Sequence, residues 1–154
     1  MDDDYFMKEA IAEANRALRA GEIPVGAVVV RGGKIIGRGR NRRAETGSPL
    51  AHAELEALKN ASVEIKNWRF DGCVIYITLE PCAMCAGALV QCRMSKIVYG
   101  AKDRSAGAAG SLYDIPRDPR MYHRCSVTRG VMEEECAKLL HVFFKRRRKE
   151  RTVF

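Results

Sequence analysis

The sequence lacks any long apolar run. Its 154 residues are 47% hydrophobic and 30% charged, yet they contain no stretch of about 18 apolar residues of the kind that crosses a membrane. The first five residues carry three aspartates, whereas a secretory signal begins with positive charge. Internal repeats and low-complexity linkers are also missing. These absences predict a cytoplasmic protein without a membrane partner, folded as a single domain over residues 1–154.

Histidine is scarce, with three in the chain against six cysteines. In a reducing compartment the cysteines are expected to be free thiols or metal ligands. Cys82 directly follows Pro81, and Cys85 comes three residues later. This spacing places both thiols on one face of the first turn of a helix. The partial positive charge of a helix N-terminus favours thiolates there. This pair is therefore predicted to bind a metal.

A second motif supplies the remaining chemistry. His52 and Glu54 lie two residues apart. One imidazole and two thiolates suit zinc with an open fourth position, so the predicted ligands are His52, Cys82 and Cys85. If a helix only begins at residue 52, Glu54 can sit beside the metal without binding it and can move protons to and from a metal-bound water. Glu54 is the predicted catalytic residue of a hydrolytic site.

Two other kinds of site compete with this interpretation. A structural zinc site needs a fourth protein ligand, and Cys92 lies seven residues beyond Cys85, a helical rise of about 10 Å that is too long. A ligand from a distant loop, His123 or Cys125, stays open. A thiol redox site would use the cysteine pair but would leave His52 and Glu54 without a role. The remaining thiols are predicted to be core residues: Cys73, Cys125 and Cys136.

Two further ionisable residues have more than one interpretation. Glu80 directly precedes Pro81 and is either a partner of a metal ligand or part of a pocket wall. His141 lies among apolar residues of a predicted helix and is expected at the surface or the edge of the core.

Apolar periodicity predicts an α/β fold. The expected helices are 7–18, a helix starting near 51, 82–92 and 131–147, the expected strands are 24–30, 35–36, 73–78, 96–100 and 125–128, and the expected loops are 41–49, 60–71 and 101–119. The order strand, helix, strand around residues 73–100 implies a parallel βαβ unit. We predict a three-layer α/β/α arrangement with a mixed, mostly five-stranded central sheet. The second helix is expected to carry Ala51, Leu55 and Leu58 on one face. The apolar face of the last helix is expected to consist of Leu139, Leu140, Phe143 and Phe144.

The positive charge is concentrated near the C-terminus. The net charge is +8, and residues 145–151 hold six cations and one anion. Cations at the end of a helix complement its dipole, which accounts for one or two of them. The density of this cluster, in a basic C-terminal segment of about 131–154, predicts binding to a polyanion such as nucleic acid. Arg146, Arg147 and Arg148 are the candidate contacts.

Five segments together resemble the bacterial tRNA-specific adenosine deaminases. They are EIPVGA at 22–27, AHAE at 51–54, LEPCAMCAGA at 79–88, GAAGSL at 107–112 and FFKRRR at 143–148. The zinc motif alone marks the cytidine deaminase-like zinc superfamily. The glycine-alanine loop and the basic helix favour the tRNA branch. The resemblance implies a cytidine deaminase-like fold over nearly the whole chain.

The same resemblance implies a function. A homodimer with one Zn²⁺ per subunit would convert adenosine to inosine at the wobble position of a tRNA anticodon stem-loop, acting on a base flipped out of the loop. His52, Cys82 and Cys85 would hold zinc, and Glu54 would carry protons between water, the adenine ring and the departing ammonia.

The resemblance also implies substrate contacts. Asn41 would hydrogen-bond the base, with Ala51 among the substrate-binding residues, and Asp103 would contact the sugar-phosphate of the neighbouring nucleotide, where a 2′-hydroxyl contact favours RNA. The chain departs from the family at two places. It has Ser48-Pro49-Leu50 where the family commonly has Asp-Pro-Thr, and Ser105 where a lysine is frequent, which bears on individual phosphate contacts.

Two alternative functions remain. A deaminase of free guanine, cytosine or a nucleoside shares the metal chemistry but has no need of the basic cluster. A non-catalytic zinc-stabilised RNA-binding module would keep the cysteine pair but would have no use for Glu54.

Overall fold

The computed structural model describes residues 2–152, which form five helices and five strands. In order they are α1 (Asp3–Arg19), β1 (Gly26–Arg31), β2 (Lys34–Arg40), α2 (Arg43–Thr46), α3 (Ala53–Ile65), β3 (Cys73–Leu79), α4 (Ala83–Gln91), β4 (Lys96–Ala101), β5 (Ser126–Arg129) and α5 (Glu133–Thr152). Within this part of the chain no helix is both long and apolar enough to span a membrane.

The strands form one mixed sheet in the order β2-β1-β3-β4-β5. The pairs β1–β2 and β1–β3 are antiparallel, and the pairs β3–β4 and β4–β5 are parallel. Helices α3 and α4 pack on one face of the sheet, and α1 and α5 pack on the other. The predicted three-layer α/β/α fold with a five-stranded mixed sheet is confirmed, including the parallel β3-α4-β4 unit.

Helix α3 differs from its prediction in length and in face. It continues to Ile65 through residues predicted to form a connector, because Ala61 is buried against β2 and the Asn60 side chain donates to the Arg38 carbonyl at 2.7 Å. Its buried apolar face is Ala53, Ala57 and Ala61. Leu55 and Leu58, predicted to share a face with Ala51, are half-buried, and Leu58 packs against the edge of the core.

The glycines of β2 explain this choice of face. A Cβ at Gly37 would lie 2.5 Å from the Ala57 carbonyl oxygen, and one at Gly39 would lie 2.3 Å from the Ala53 carbonyl oxygen. Backbone of the helix therefore rests almost directly on backbone of the strand. Among the side chains of α3, only alanine fits between the two backbones. The larger side chains of Leu55 and Leu58 lie beside this contact and are half-buried.

Two other loop and helix predictions need correction. Residues 41–49, predicted to be a loop, contain the short helix α2. Helix α5 continues to Thr152, so the basic residues 145–151 lie on the helix itself. Phe143 is 7% exposed, but Phe144 is 46% exposed and was wrongly placed on the apolar face. The difference arises because successive helical residues point about 100° apart.

The contact between β2 and α3 gives a stability prediction. Gly39→Ala is expected to lower the free energy of unfolding by about 1–3 kcal/mol, since both atoms closest to the new methyl group are backbone atoms of α3. Urea unfolding measures the change. Lys34→Ala, at an exposed position of the same strand, is the control and should have little effect. Equal stability of the two variants would contradict this account of the packing.

Candidate active site

The three predicted metal ligands meet where two helices begin. His52 and Cys82 are the residues immediately before α3 and α4, both with extended backbone, and Cys85 lies in the first turn of α4. The His52 Nδ1 atom is 3.7 Å from the Cys82 Sγ atom and 3.5 Å from the Cys85 Sγ atom. All three ligand atoms lie within 4.8 Å of one another. The prediction that these residues converge is confirmed.

Their spacing fits a zinc ion. Zinc binds sulfur at about 2.3 Å and imidazole nitrogen at about 2.0–2.1 Å in a tetrahedral arrangement, which separates the two kinds of ligand atom by about 3.6 Å. The two observed nitrogen–sulfur distances, 3.5 and 3.7 Å, bracket this value. One imidazole and two thiols are also a donor set that zinc prefers. The residues present therefore fit one zinc ion without rearrangement.

The thiols are electrostatically coupled. The pKa of Cys82 is lowered to about 3, chiefly because the Cys85 thiol and His52 donate hydrogen bonds to it. The pKa of Cys85 is raised by the same bond to Cys82 and by burial, and the pKa of His52 is raised by its bond to Cys82. In the absence of a cation only one thiolate is favoured. A bound dication stabilises both, so metal binding releases protons from this cluster.

Glu54 lies beside this cluster with its side chain turned inward. It occupies the first turn of α3 and is only 4% exposed. Residues two apart on a helix do not share a face, but His52 precedes the helix with extended backbone, and both side chains therefore reach the same cavity. Burial raises the pKa of Glu54 to about 7, and a nearby metal cation acts in the opposite direction. A carboxylate in this range can both accept and donate a proton near neutral pH.

The cluster opens into a cavity of about 170 Å³. Its walls come from the loop before α2, the start of α3, the end of β3 and the loop after β4. The residues lining it are Ile23, Val25, Asn41, Arg43, His52, Ala53, Glu54, Leu79, Glu80, Cys82, Asp103 and Ala106. Two of the three residues predicted to contact the base or the sugar-phosphate, Asn41 and Asp103, thus line the same cavity as Glu54.

Some of the polar atoms of Asn41 and Asp103 already form hydrogen bonds within the chain. The Asn41 Oδ1 atom accepts from the Arg43 backbone N–H at 3.1 Å, which leaves its Nδ2 group to donate. The Asp103 Oδ1 atom accepts from the backbone N–H and the hydroxyl of Ser105 and from the Ala106 N–H. Ala51 is not among the residues lining the cavity; it is buried, and its carbonyl accepts from the Arg42 N–H.

The residues that could have closed the metal site lie elsewhere. The His123 Nε2 atom is 2.8 Å from the Met94 carbonyl oxygen, and the Cys125 thiol lies 4.0 Å from the Leu89 carbonyl oxygen. Across residues 2–152, the only group of potential ligands found within reach of one ion is His52, Cys82 and Cys85. Cys73, Cys125 and Cys136 are buried free thiols, as predicted, and His141 is exposed.

One of the three candidate arginines of the basic cluster, Arg147, lines a second cavity that borders the first. Arg147 places its guanidinium carbon 5.4 Å from the centre of the Phe143 ring, and both residues line a second cavity together with Asn41 and Arg43. Asn41 and Arg43 therefore border both cavities. Arg146 and Arg148 are exposed on α5, at positions about 100° around the helix on either side of Arg147.

The roles of two buried carboxylates, Glu22 and Glu80, depend on contacts between distant segments. Glu22 accepts from the backbone N–H groups of Ala44 and Glu45, at 3.1 and 2.7 Å, and so caps the start of α2. Glu80 lines the cavity, as one of its two interpretations predicted, and its four described hydrogen bonds go to the loop after β4. Their partners are distant in sequence, so periodicity could not reveal them.

The ligand geometry gives a metal prediction. We expect one zinc per chain by elemental analysis, with two sulfur and one nitrogen neighbours in its X-ray absorption spectrum. Cys85→Ser should lose most of the metal, because it removes one of three protein ligands. Cys92→Ser, whose thiol lies 3.5 Å from the Leu89 carbonyl oxygen at the far end of α4, should keep it. Full zinc content in the Cys85 variant would refute the assignment.

Comparisons with known proteins agree with this chemistry. Residues 1–101 match the cytidine and deoxycytidylate deaminase zinc-binding region. The chain is 44% identical over 149 residues to the tRNA-specific adenosine deaminase of Bacillus subtilis strain 168, covering 97% of this chain and 92% of the relative.

Solved structures give the same picture. One comes from biochemical and structural studies of A-to-I editing by tRNA:A34 deaminases at the wobble position of transfer RNA; it has a TM-score of 0.85 and 38% identity and covers 88% of this chain and 99% of its own. The guanine deaminase of Bacillus subtilis has a TM-score of 0.65 and 36% identity and covers 72% of this chain and 71% of its own.

Proposed function

Because the chain belongs to the tRNA-specific adenosine deaminases, within the family of the cytidine and deoxycytidylate deaminase zinc-binding region, we propose that it hydrolyses adenosine to inosine at the wobble position of a tRNA anticodon. The observation that carries this proposal is the site itself. Three ligand atoms that fit zinc lie together, and two of the ligand residues, His52 and Cys82, line the same cavity as Glu54, a buried carboxylate outside the ligand group. A module that only uses zinc for stability has no need of such a carboxylate.

The chemistry divides between the metal and the chain. His52, Cys82 and Cys85 would hold zinc, which would supply a water of lowered pKa as the nucleophile for C6 of adenine. Glu54 takes the first proton from the attacking water and gives it to N1 of the ring. It then takes the second proton from the hydroxyl group formed on C6 and gives it to the departing amino group. Adenosine and water thus become inosine and ammonia, with no net change in the protonation of Glu54.

Other residues of the chain bind and orient the RNA in this proposal. The Asn41 Nδ2 group donates to the base, because its Oδ1 atom is already occupied by Arg43. Asp103, which lines the same cavity, contacts the sugar-phosphate of the neighbouring nucleotide. Ala51 contributes by holding Arg42, the residue after Asn41, through its carbonyl. The α5 cations Arg146, Arg147 and Arg148 bind phosphates of the anticodon stem-loop.

The assembly we propose is a homodimer of single deaminase domains, each spanning residues 1–154, in the cytoplasm where tRNA is abundant. Its support is the outer surface of the α3 and α4 layer. Helix α4 carries no charged residue, and Met84 and Leu50 are large apolar side chains exposed at 36% and 59%. An apolar helix surface of this kind is typical of an interface between subunits.

Gly87 offers a test of the dimer. A Cβ at this position meets nothing within 4 Å, so Gly87→Glu fits a single chain and improves helix propensity, but it buries a charge if a second copy covers α4. We expect light scattering to give about twice the 17.2 kDa chain mass for the wild type and half of that for the variant. A variant that stays dimeric and folded would place the interface elsewhere.

The deciding assay for the reaction uses two groups of substrates. The zinc-loaded protein is incubated with an anticodon stem-loop carrying a wobble adenosine and, separately, with free adenine, guanine, cytosine and their nucleosides. Inosine in the RNA, with the free compounds unchanged, supports the proposal. Rapid turnover of guanine with the RNA untouched would instead favour the activity of the guanine deaminase to which the chain is also similar.

A further inference from the structure

The carboxylate of Glu80, a residue of the cavity wall, is the centre of a hydrogen-bond cluster. Its Oε1 atom accepts from the Asp103 backbone N–H at 3.1 Å and from the Ser111 hydroxyl. Its Oε2 atom accepts from the backbone N–H groups of Ala109 and Ser111, both at 3.0 Å. The side chain is only 2% exposed, so water contributes little to its solvation. Four donors from one loop replace that water.

The loop is shaped to surround this carboxylate. A Cβ at Gly107 would lie 2.4 Å from the Glu80 Cδ atom and 2.4 Å from the Asp103 carbonyl oxygen, so the backbone passes where no side chain fits. The same stretch is tied to the start of α4, since the Ala108 N–H donates to the Pro81 carbonyl and Gly107 forms a β-bridge with Cys82. This packing is an observation independent of the hydrogen bonds to Glu80.

The loop in turn determines where Asp103 stands. The Asp103 backbone N–H is held by Glu80, and its carboxylate is held by Ser105 and Ala106 of the same loop. Asp103 and Ala106 line the same cavity as Asn41. We propose that Glu80 is a positioning residue for the deamination, which fixes the loop 102–112 so that Asp103 meets the nucleotide beside the target base. The substrate part of this proposal depends on the proposed function.

A carboxylate suits this position because it accepts at both oxygens, whereas glutamine presents one oxygen and one amide group. The Oε2 atom serves two backbone N–H groups, and the Oε1 atom serves one backbone N–H group and the Ser111 hydroxyl, which can also accept. In either orientation Glu80→Gln therefore places its amide group against at least one backbone N–H group of the loop. The anchorage of the loop is weakened although the size of the side chain is unchanged.

The test compares four proteins with the wild type: Glu80→Gln, Gly107→Ala, Ser111→Ala and the control Glu64→Gln, at an exposed glutamate of α3. For Glu80→Gln we expect KM for the anticodon stem-loop to rise by about 10- to 100-fold, with kcat within about threefold and zinc content unchanged. Gly107→Ala should reproduce this split with Glu80 intact. Ser111→Ala, which removes one donor, should have a smaller effect of the same kind.

Hydrogen exchange without RNA supplies a second readout. The backbone amides of Asp103, Ala109 and Ser111 should exchange at least about tenfold faster in Glu80→Gln than in the wild type, and those of α3 and β1 should not change. Unchanged exchange in the loop would overturn the anchoring role. Faster exchange with KM unaltered, or with kcat reduced in the same proportion as zinc content, would overturn the positioning role.

The two proposals fail in different ways. If the wild type does not deaminate the stem-loop, the proposed function is wrong, and with it the substrate role of Asp103. The exchange rates of the loop would still uphold or overturn the hold of Glu80 on residues 102–112.

Discussion

Glu54→Gln is expected to lower kcat for inosine formation by about 10²–10⁴-fold or more while zinc content and melting temperature stay nearly unchanged. General acid–base assistance contributes this much for a single proton transfer, and here one carboxylate serves the water, N1 of the ring and the leaving amino group. Glutamine keeps the size of the side chain and cannot carry the proton. Single-turnover deamination of the stem-loop, with metal analysis on the same sample, measures both quantities.

Glu56→Gln is the matched control for this variant. Glu56 lies in the same first turn of α3 but lies 3.9 Å from Arg42 and is not among the residues lining the cavity, so its activity should stay close to that of the wild type. If Glu54→Gln lost its zinc, the carboxylate would be a ligand. If it remained active, the assignment of proton transfer to Glu54 would be refuted.

Replacing Arg146, Arg147 and Arg148 together by glutamine is expected to weaken RNA binding and its salt dependence. Each phosphate contact on a single strand contributes about −0.7 to the log–log salt slope, so three lost contacts flatten it by about 2. The ratio of the RNA affinity of the wild type to that of the variant should then fall by about 20-fold between 50 and 200 mM salt. Fluorescence anisotropy with a labelled stem-loop measures this, and zinc content should not change.

A variant with the same change of charge elsewhere separates local contacts from net charge. Arg16, Arg69 and Arg120 are exposed arginines outside the cavity walls, and their triple replacement by glutamine should leave the slope nearly unchanged. Equal slopes for the two triple variants would show that the basic helix acts only through overall charge. Among single changes, Arg147→Gln should weaken RNA binding more than Arg146→Gln, because Arg147 and Asn41 line the same second cavity.

Much of the site was predictable because it depends on short motifs. His52 and Glu54, and likewise Cys82 and Cys85, are close in sequence, and the start of a helix at each motif is marked by local residues such as Pro81. The five strands were predictable for a similar reason, since continuous apolar runs such as residues 73–78 are typical of a buried strand. The position of the cysteine pair could also be predicted, because α4 begins only a few residues after β3 ends.

The errors have a different physical origin. The buried face of α3 is decided by Gly37 and Gly39 on another element, which bring the strand so close that alanines displace leucines from the contact. Glu22 and Glu80 have backbone partners 22 to 31 residues away. No periodicity within one segment carries that information, because it belongs to the contact between segments.

The meeting of His52 with Cys82 and Cys85 also has a consequence for chain entropy. The two parts of the metal site are thirty residues apart in sequence, so a bound ion closes a ring that contains all of α3 and β3. In an unfolded chain a covalent cross-link of this span removes conformational freedom equivalent to about 3–4 kcal/mol, and a metal ion that stays attached to both motifs acts in the same direction. A bound zinc ion would therefore also restrict the conformations of the unfolded chain, and its removal would increase the conformational entropy of the unfolded state.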